Sequence, residues 1–134
     1  VTLMATFIYA KLVRDNIAQF HIEAGHTPKV TYLKGKEFIR ALCKKLHEEA
    51  DEVDAALSRE EMIEEIADVQ QILDDLCGAE NITKDELEAV QKAKAKNKGG
   101  FTNGVYIETV EMPNEDDEWV AYCRKNPEKY PETK

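Results

Sequence analysis

The sequence predicts a mainly all-α fold built on an antiparallel helix hairpin, with a small two-stranded β element. Two long stretches, 36–57 and 59–77, repeat apolar residues at helical spacing. Ser58, with Glu61 at the capping-box position, restarts the helix almost where the first stretch ends. So short a connection folds consecutive helices back on each other. Against this helical content, only the runs 30–33 and 105–112 favour extended chain.

Taken in order, residues 11–24 carry Leu12, Val13, Ile17, Phe20 and Ile22 ahead of Gly25, which predicts a short first helix. Thr27-Pro28 breaks the pattern, and Val30, Thr31, Tyr32 and Leu33 read as a strand ended by Gly35. The first long helix follows from Phe38, Ile39, Leu42, Cys43, Leu46, Ala50, Val53 and Leu57. The second continues through Met62, Ile63, Ile66, Val69, Ile72, Leu73 and Leu76, with Gly78 as its stop. Thr83 and Glu86 cap a further helix over 84–96, closed by Gly99-Gly100. After Asn103-Gly104, residues 105–112 form the second strand, placed to pair with 30–33. These elements make one helical domain, 1–112. The remainder, 113–134, is an acidic tail holding three of the four prolines, with Trp119 and Tyr122 as anchors.

A chain of 134 residues with a 43% hydrophobic and 34% charged composition suits a globular domain and not a disordered one. The net charge of -9 repels polyanions, which excludes bulk nucleic acid and anionic membrane surfaces as partners. A phosphorylated small molecule is compatible with that charge if a divalent cation stands between it and the protein's carboxylates. The three cysteines, Cys43, Cys77 and Cys123, have neither zinc-site nor disulfide-framework spacing and read as reduced thiols. Residues 1–10 are too short for a membrane span and lack a signal-peptide pattern, so the expected location is cytoplasmic.

The acidic residues of the hairpin are informative by where they fall around each helix. Measured from Leu46 at about 100° per residue, Glu48 and Asp51 lie at about 200° and 140°, on the solvated side. Glu49 lies at about -60°, between Leu42 and Phe38, and Glu52 borders the stripe at about -120°. Measured from Ile66, Glu65 falls at about -100° between Ile72 and Leu76, and Asp68 borders at about -160°. Each pair has i, i+3 spacing, so each helix offers two carboxylates beside its packing seam.

Four carboxylates gathered in this way repel unless a positive charge lies among them. An all-oxygen set selects a hard ion, Mg²⁺ with Mn²⁺ as a substitute, because zinc and copper recruit His or Cys. His21, His26 and His47 lack the spacing to join and read as structural or surface residues. Glu-x-x-His pairs and the EF-hand loop pattern are both absent. Solvated acidic faces, a coiled-coil interaction module or a salt-bridged oligomer contact would also accommodate these residues.

The arrangement Glu49-x-x-Glu52, twelve intervening residues, then Glu65-x-x-Asp68 resembles the ExxE and ExxD motif pair of the MazG-like all-α nucleoside triphosphate pyrophosphohydrolases. The opening KLVRDNI and the later KNKGGF are similar to segments of the phosphoribosyl-ATP pyrophosphohydrolase-like branch, so the resemblance runs from about 11 to about 107. It implies that Glu49, Glu52, Glu65 and Asp68 coordinate Mg²⁺ that bridges to substrate phosphates. Lys94 and Lys98 match a phosphate-contacting Lys-x-x-x-Arg pair, with Lys98 a point charge where Arg is usual. Lys11 and Arg14, one turn apart, either hold phosphate or pair with acids. Asn16 and Ala18 stand where Lys and Pro are common in the family. The resemblance further implies a homodimer or homotetramer in which neighbouring hairpins form four-helix bundles.

The expected activity is Mg²⁺-dependent hydrolysis of a nucleoside triphosphate between its α- and β-phosphates, as in house-cleaning of the nucleotide pool. Glu49, with Glu52 close behind, is the candidate acceptor of the attacking water's proton. The alternatives are phosphoribosyl-ATP pyrophosphohydrolase and a non-catalytic acidic helical module that binds a basic partner.

Overall fold

In the computed structural model, which describes residues 4–133, five helices follow in order: α1 (Ile17–Glu23), α2 (Gly35–Ala55), α3 (Arg59–Ala79), α4 (Lys84–Lys98) and α5 (Glu118–Lys125). The chain gathers into two compact units, one through Ala93 and one from Lys94, the division falling within α4.

α1 is shorter than its apolar pattern predicts. Residues 11–16 stay irregular up to a turn closed by the Ile17 N–H on the Arg14 carbonyl at 3.0 Å. Asp15 and Asn16 compete for backbone hydrogen bonds and favour such turns over helix. At its other end Gly25 adopts φ +83°, and bonds from Gly25 to Ile22 (3.0 Å) and from His26 to His21 (2.9 Å) complete a Schellman motif. The same turn sets the His21 and His26 Nδ1 atoms 2.9 Å apart.

α2 and α3, each of 21 residues, are joined through 56–58 and pack on each other as the predicted hairpin. Ser58 Oγ accepts from the Glu61 N–H at 3.1 Å, while the Glu61 carboxylate turns back to accept from the Leu57 N–H at 2.9 Å. α3 runs through Gly78 to Ala79. Its stop is Asn81, at φ +57°, with a second Schellman pair from Ile82 to Cys77 (2.8 Å) and Asn81 to Gly78 (3.3 Å). Among the described residues only Leu42 (3% exposed), Ile72 (7%) and Glu49 (9%) are buried. The first two anchor the seam from opposite sides, and the third is a carboxylate beside them.

The predicted two-stranded β element does not form. Among the described residues there is no strand: 30–33 and 105–112 are without regular structure, with Tyr32 84% and Tyr106 87% exposed. A two-stranded ribbon is marginal without an apolar face to bury, and neither run buries one. α4 starts as expected, the Glu86 N–H bonding Thr83 Oγ1 at 3.1 Å, and Lys96 and Lys98 complement the dipole in its last turn.

The second unit holds a helix that the acidic character of the tail conceals. Asp117 caps α5 by accepting from the Trp119 N–H at 2.9 Å. Arg124 donates to Glu115 (2.7 Å) and Glu132 (2.9 Å), tying the chain on both sides of α5 to it. Tyr122 lies between Trp119 and Tyr130, with ring centroids 6.4 and 5.9 Å apart. No helix of the described residues is long and apolar enough to cross a membrane.

Candidate metal centre

Helical rotation puts Glu49 on the inner face of α2 with Leu42, and Glu65 on the edge of α3 that carries Ile72. The hairpin then brings the two acids together across the seam. Glu49, Glu65 and Asp68 each offer an oxygen, and the three oxygens lie within 4.8 Å of one another. Glu49 is buried, whereas Glu65 and Asp68 are half-buried. Of the two acids that fall within an apolar stripe in the sequence, Glu49 is the more deeply buried in the fold. Glu52, one turn on from Glu49, is exposed and stands outside the group of three.

The cluster shows the electrostatics of crowded carboxylates. A hydrogen bond shared with Glu49 raises the pKa of Glu65 above its usual value, with partial burial and the charges of Glu49, Asp68 and Glu52 adding to the effect. Glu52 thus contributes to the field of the cluster from outside it.

Three cations of the same unit flank this group. Arg14 Nη2 stands 2.6 Å from Asp68 Oδ1, Lys45 Nζ lies 3.5 Å from Glu49 and 3.4 Å from Glu48, and Lys11 Nζ lies 3.3 Å from Glu48. Lys11 and Arg14 therefore meet acids here, and Glu48, expected on the solvated side, is half-buried and pinned. Burial pushes the Glu48 pKa up, but the Lys11 hydrogen bond and the Lys45 charge outweigh it and hold the group below its usual value. Lys45 escapes a reading confined to acidic motifs. Its signal is its place four residues before Glu49, the i, i+4 relation that sets it beside that carboxylate. Lys94 and Lys98 are exposed on α4, in the second unit.

The donor set suits a hard divalent ion. Oxygens octahedrally placed at about 2.1 Å from Mg²⁺ are about 3 to 4.2 Å apart, so carboxylate oxygens already within 4.8 Å need only a small closure. The group contains neither nitrogen nor sulfur, which disfavours zinc and copper. No protein-family model matches this chain, and neither the curated proteins nor the solved structures contain a significant match to it.

Proposed function

We propose that the chain is a Mg²⁺-dependent nucleotide pyrophosphohydrolase, acting between the α- and β-phosphates of a nucleoside triphosphate to give the monophosphate and pyrophosphate. The observation that carries this reading is the convergence of Glu49, Glu65 and Asp68 from two helices onto one cluster. The motif order, which resembles that of MazG-like pyrophosphohydrolases, supports it from the sequence.

Glu49, Glu65 and Asp68 would hold the ion, with Glu52 reaching in from the next turn. Magnesium bound there would neutralise phosphate charge and make a bound water more acidic. In the overall reaction, water oxygen bonds to the α-phosphorus, the bond from that phosphorus to the bridging oxygen breaks, and pyrophosphate leaves with the electron pair. Glu49 or Glu52 accepts the proton that the water loses and passes it to solvent. Lys45 holds Glu49 in place, while Lys11 and Arg14 bring positive charge to the side where phosphate would approach. Lys94 and Lys98 enter this reading through the resemblance alone.

The apolar pattern supports a homodimer or homotetramer. Around α3, Ile72 and Leu76 lie about 80–120° to one side of Ile66, while Ile63 and Leu73 lie within about 60° of it. Ile63, Ile66 and Leu73 are exposed. A hairpin from a second subunit covering this flank would complete a four-helix bundle.

The deciding experiment is a pyrophosphate-release screen over ordinary and modified nucleoside triphosphates and phosphoribosyl-ATP, with and without Mg²⁺. Release that requires Mg²⁺ and disappears in Glu49→Gln supports the proposal, and the preferred substrate separates its two branches. Silence across the screen would favour a non-catalytic acidic module.

A further inference from the structure

The cations around the cluster differ in how they are held. Lys45 belongs to α2 itself, one turn before Glu49, and its side chain is largely buried. Lys11 reaches Glu48, which is not a member of the cluster. Among the described residues, Arg14 alone touches a cluster carboxylate from outside the hairpin, and it does so from the irregular segment before α1. It reaches Asp68 through one guanidinium nitrogen, and both side chains are partly exposed, at 57% and 34%.

These features describe a counter-ion that can be exchanged. An exposed ion pair contributes little net stability, and a single contact leaves most of the guanidinium's five N–H donors unused. A divalent cation and a guanidinium compete for the same carboxylate lone pairs and repel each other when both are close. Once displaced, a guanidinium finds its best partner in a bidentate oxyanion, which phosphate provides.

The geometry points to Arg14 as an exchangeable occupant of the metal site: a divalent cation displaces it from Asp68, and the freed guanidinium becomes a ligand for phosphate. This inference rests on the metal reading above and makes phosphate binding at Arg14 conditional on metal occupancy, a coupling between two neighbouring sites.

Mn²⁺ binding followed by electron paramagnetic resonance tests the first half. Arg14→Gln should bind Mn²⁺ about two- to fivefold more tightly than the unsubstituted chain, the range that loss of an exposed competing ion pair allows. In an Asp68→Asn background the same substitution should have no effect, because the competition acts through that carboxylate. A gain of equal size in both backgrounds would show that Arg14 acts only through its long-range field and would overturn the proposal, as would unchanged or weaker binding in Arg14→Gln. If Asp68→Asn binds too weakly to measure, the Arg14 Nε–H resonance decides: saturating Mg²⁺ should shift it in the unsubstituted chain, and an unmoved resonance refutes displacement.

Inorganic pyrophosphate tests the second half. Arg14→Gln should weaken Mg²⁺-dependent pyrophosphate binding at least about tenfold, the cost of losing charge-assisted hydrogen bonds, and Arg14→Lys should restore part of it. Unchanged pyrophosphate affinity overturns that half. A chain that binds no Mn²⁺ at all defeats the metal reading together with this inference, whereas tight Mn²⁺ binding indifferent to Arg14 defeats only the inference.

Discussion

Glu49 of α2 and Glu65 of α3 bring carboxylate oxygens within 4.8 Å of each other across the helix hairpin, two acids meeting where a packing seam would ordinarily hold two apolar side chains. The Glu65 pKa is raised above the ordinary 4.5 by hydrogen bonding with Glu49, by partial burial and by the charges of its acidic neighbours. Over the window between 4.5 and the folded value, the native state binds more protons than the unfolded chain, so stability falls as the pH rises through it. Glu65→Gln should therefore raise the Tm at pH 7, with the gain fading as the pH is lowered below 4.5. Thermal melts of both chains across that range check this. Millimolar Mg²⁺ should raise the Tm of the unsubstituted chain at pH 7 by relieving the same repulsion.

Catalysis is the more demanding test of the same residues. Glu49→Gln and Glu65→Gln should each lower Mg²⁺-dependent pyrophosphate release by more than about a hundredfold, the upper end for residues that merely support a metal ligand. Far-UV circular dichroism should show helicity nearly unchanged. Full activity in both variants would remove the site.

The hairpin's seam and its connection make separable contributions. Leu42→Ala should destabilise the chain by about 2–5 kcal/mol, because Leu42 is the most deeply buried apolar residue among those described and its truncation leaves a cavity. Ser58→Ala removes the acceptor for the Glu61 N–H and should cost about 1 kcal/mol. Urea unfolding gives both values, and the larger loss should belong to Leu42.

The second unit carries its own acid sensitivity. Hydrogen bonds from Arg124, reinforced by its charge, hold Glu115 and Glu132 below their ordinary 4.5. Groups lowered in this way contribute stability that is complete above that value and is lost as the pH falls through the folded one. Trp119 is the only tryptophan in the chain, so its fluorescence reports on this unit. The signal should change as the pH drops below 4.5 and should lose most of that dependence in Arg124→Ala.

Gly78 offers a gain in stability. It lies within α3 at an ordinary helical backbone angle, and a Cβ placed on it would meet nothing within 4 Å. Gly78→Ala should stabilise the chain by about 0.5–1 kcal/mol, read by urea unfolding.

The hairpin was legible because its signals are local and agree: helical spacing of apolar residues, one capping box, and a connection too short for any other arrangement. Glu49 and Glu65 were legible because each breaks a stripe that its neighbours define. The β element was misread because propensity in 30–33 and 105–112 says nothing of a partner, and the apolar residues of these runs, Tyr32, Val105, Tyr106 and Ile107 among them, stay exposed. The end of α3 was misplaced because Gly78 is the residue type expected at a stop, while the left-handed position fell to Asn81. α5 was hidden by the acidic composition around it, although Asp117 is a regular cap and Trp119, Val120, Tyr122 and Cys123 supply its apolar side. The pairing of Arg14 with Asp68 joins residues far apart in the chain, and no spacing rule reaches that far.

The burial of Glu49 beside Leu42 also bears on how this sequence would respond to selection. An apolar residue of similar size at position 49 would fill the seam without repelling Glu65, and would remove the cluster's most buried oxygen. A library screened for heat resistance alone should therefore discard Glu49 early, whereas one screened for turnover should retain it and accept a softer fold.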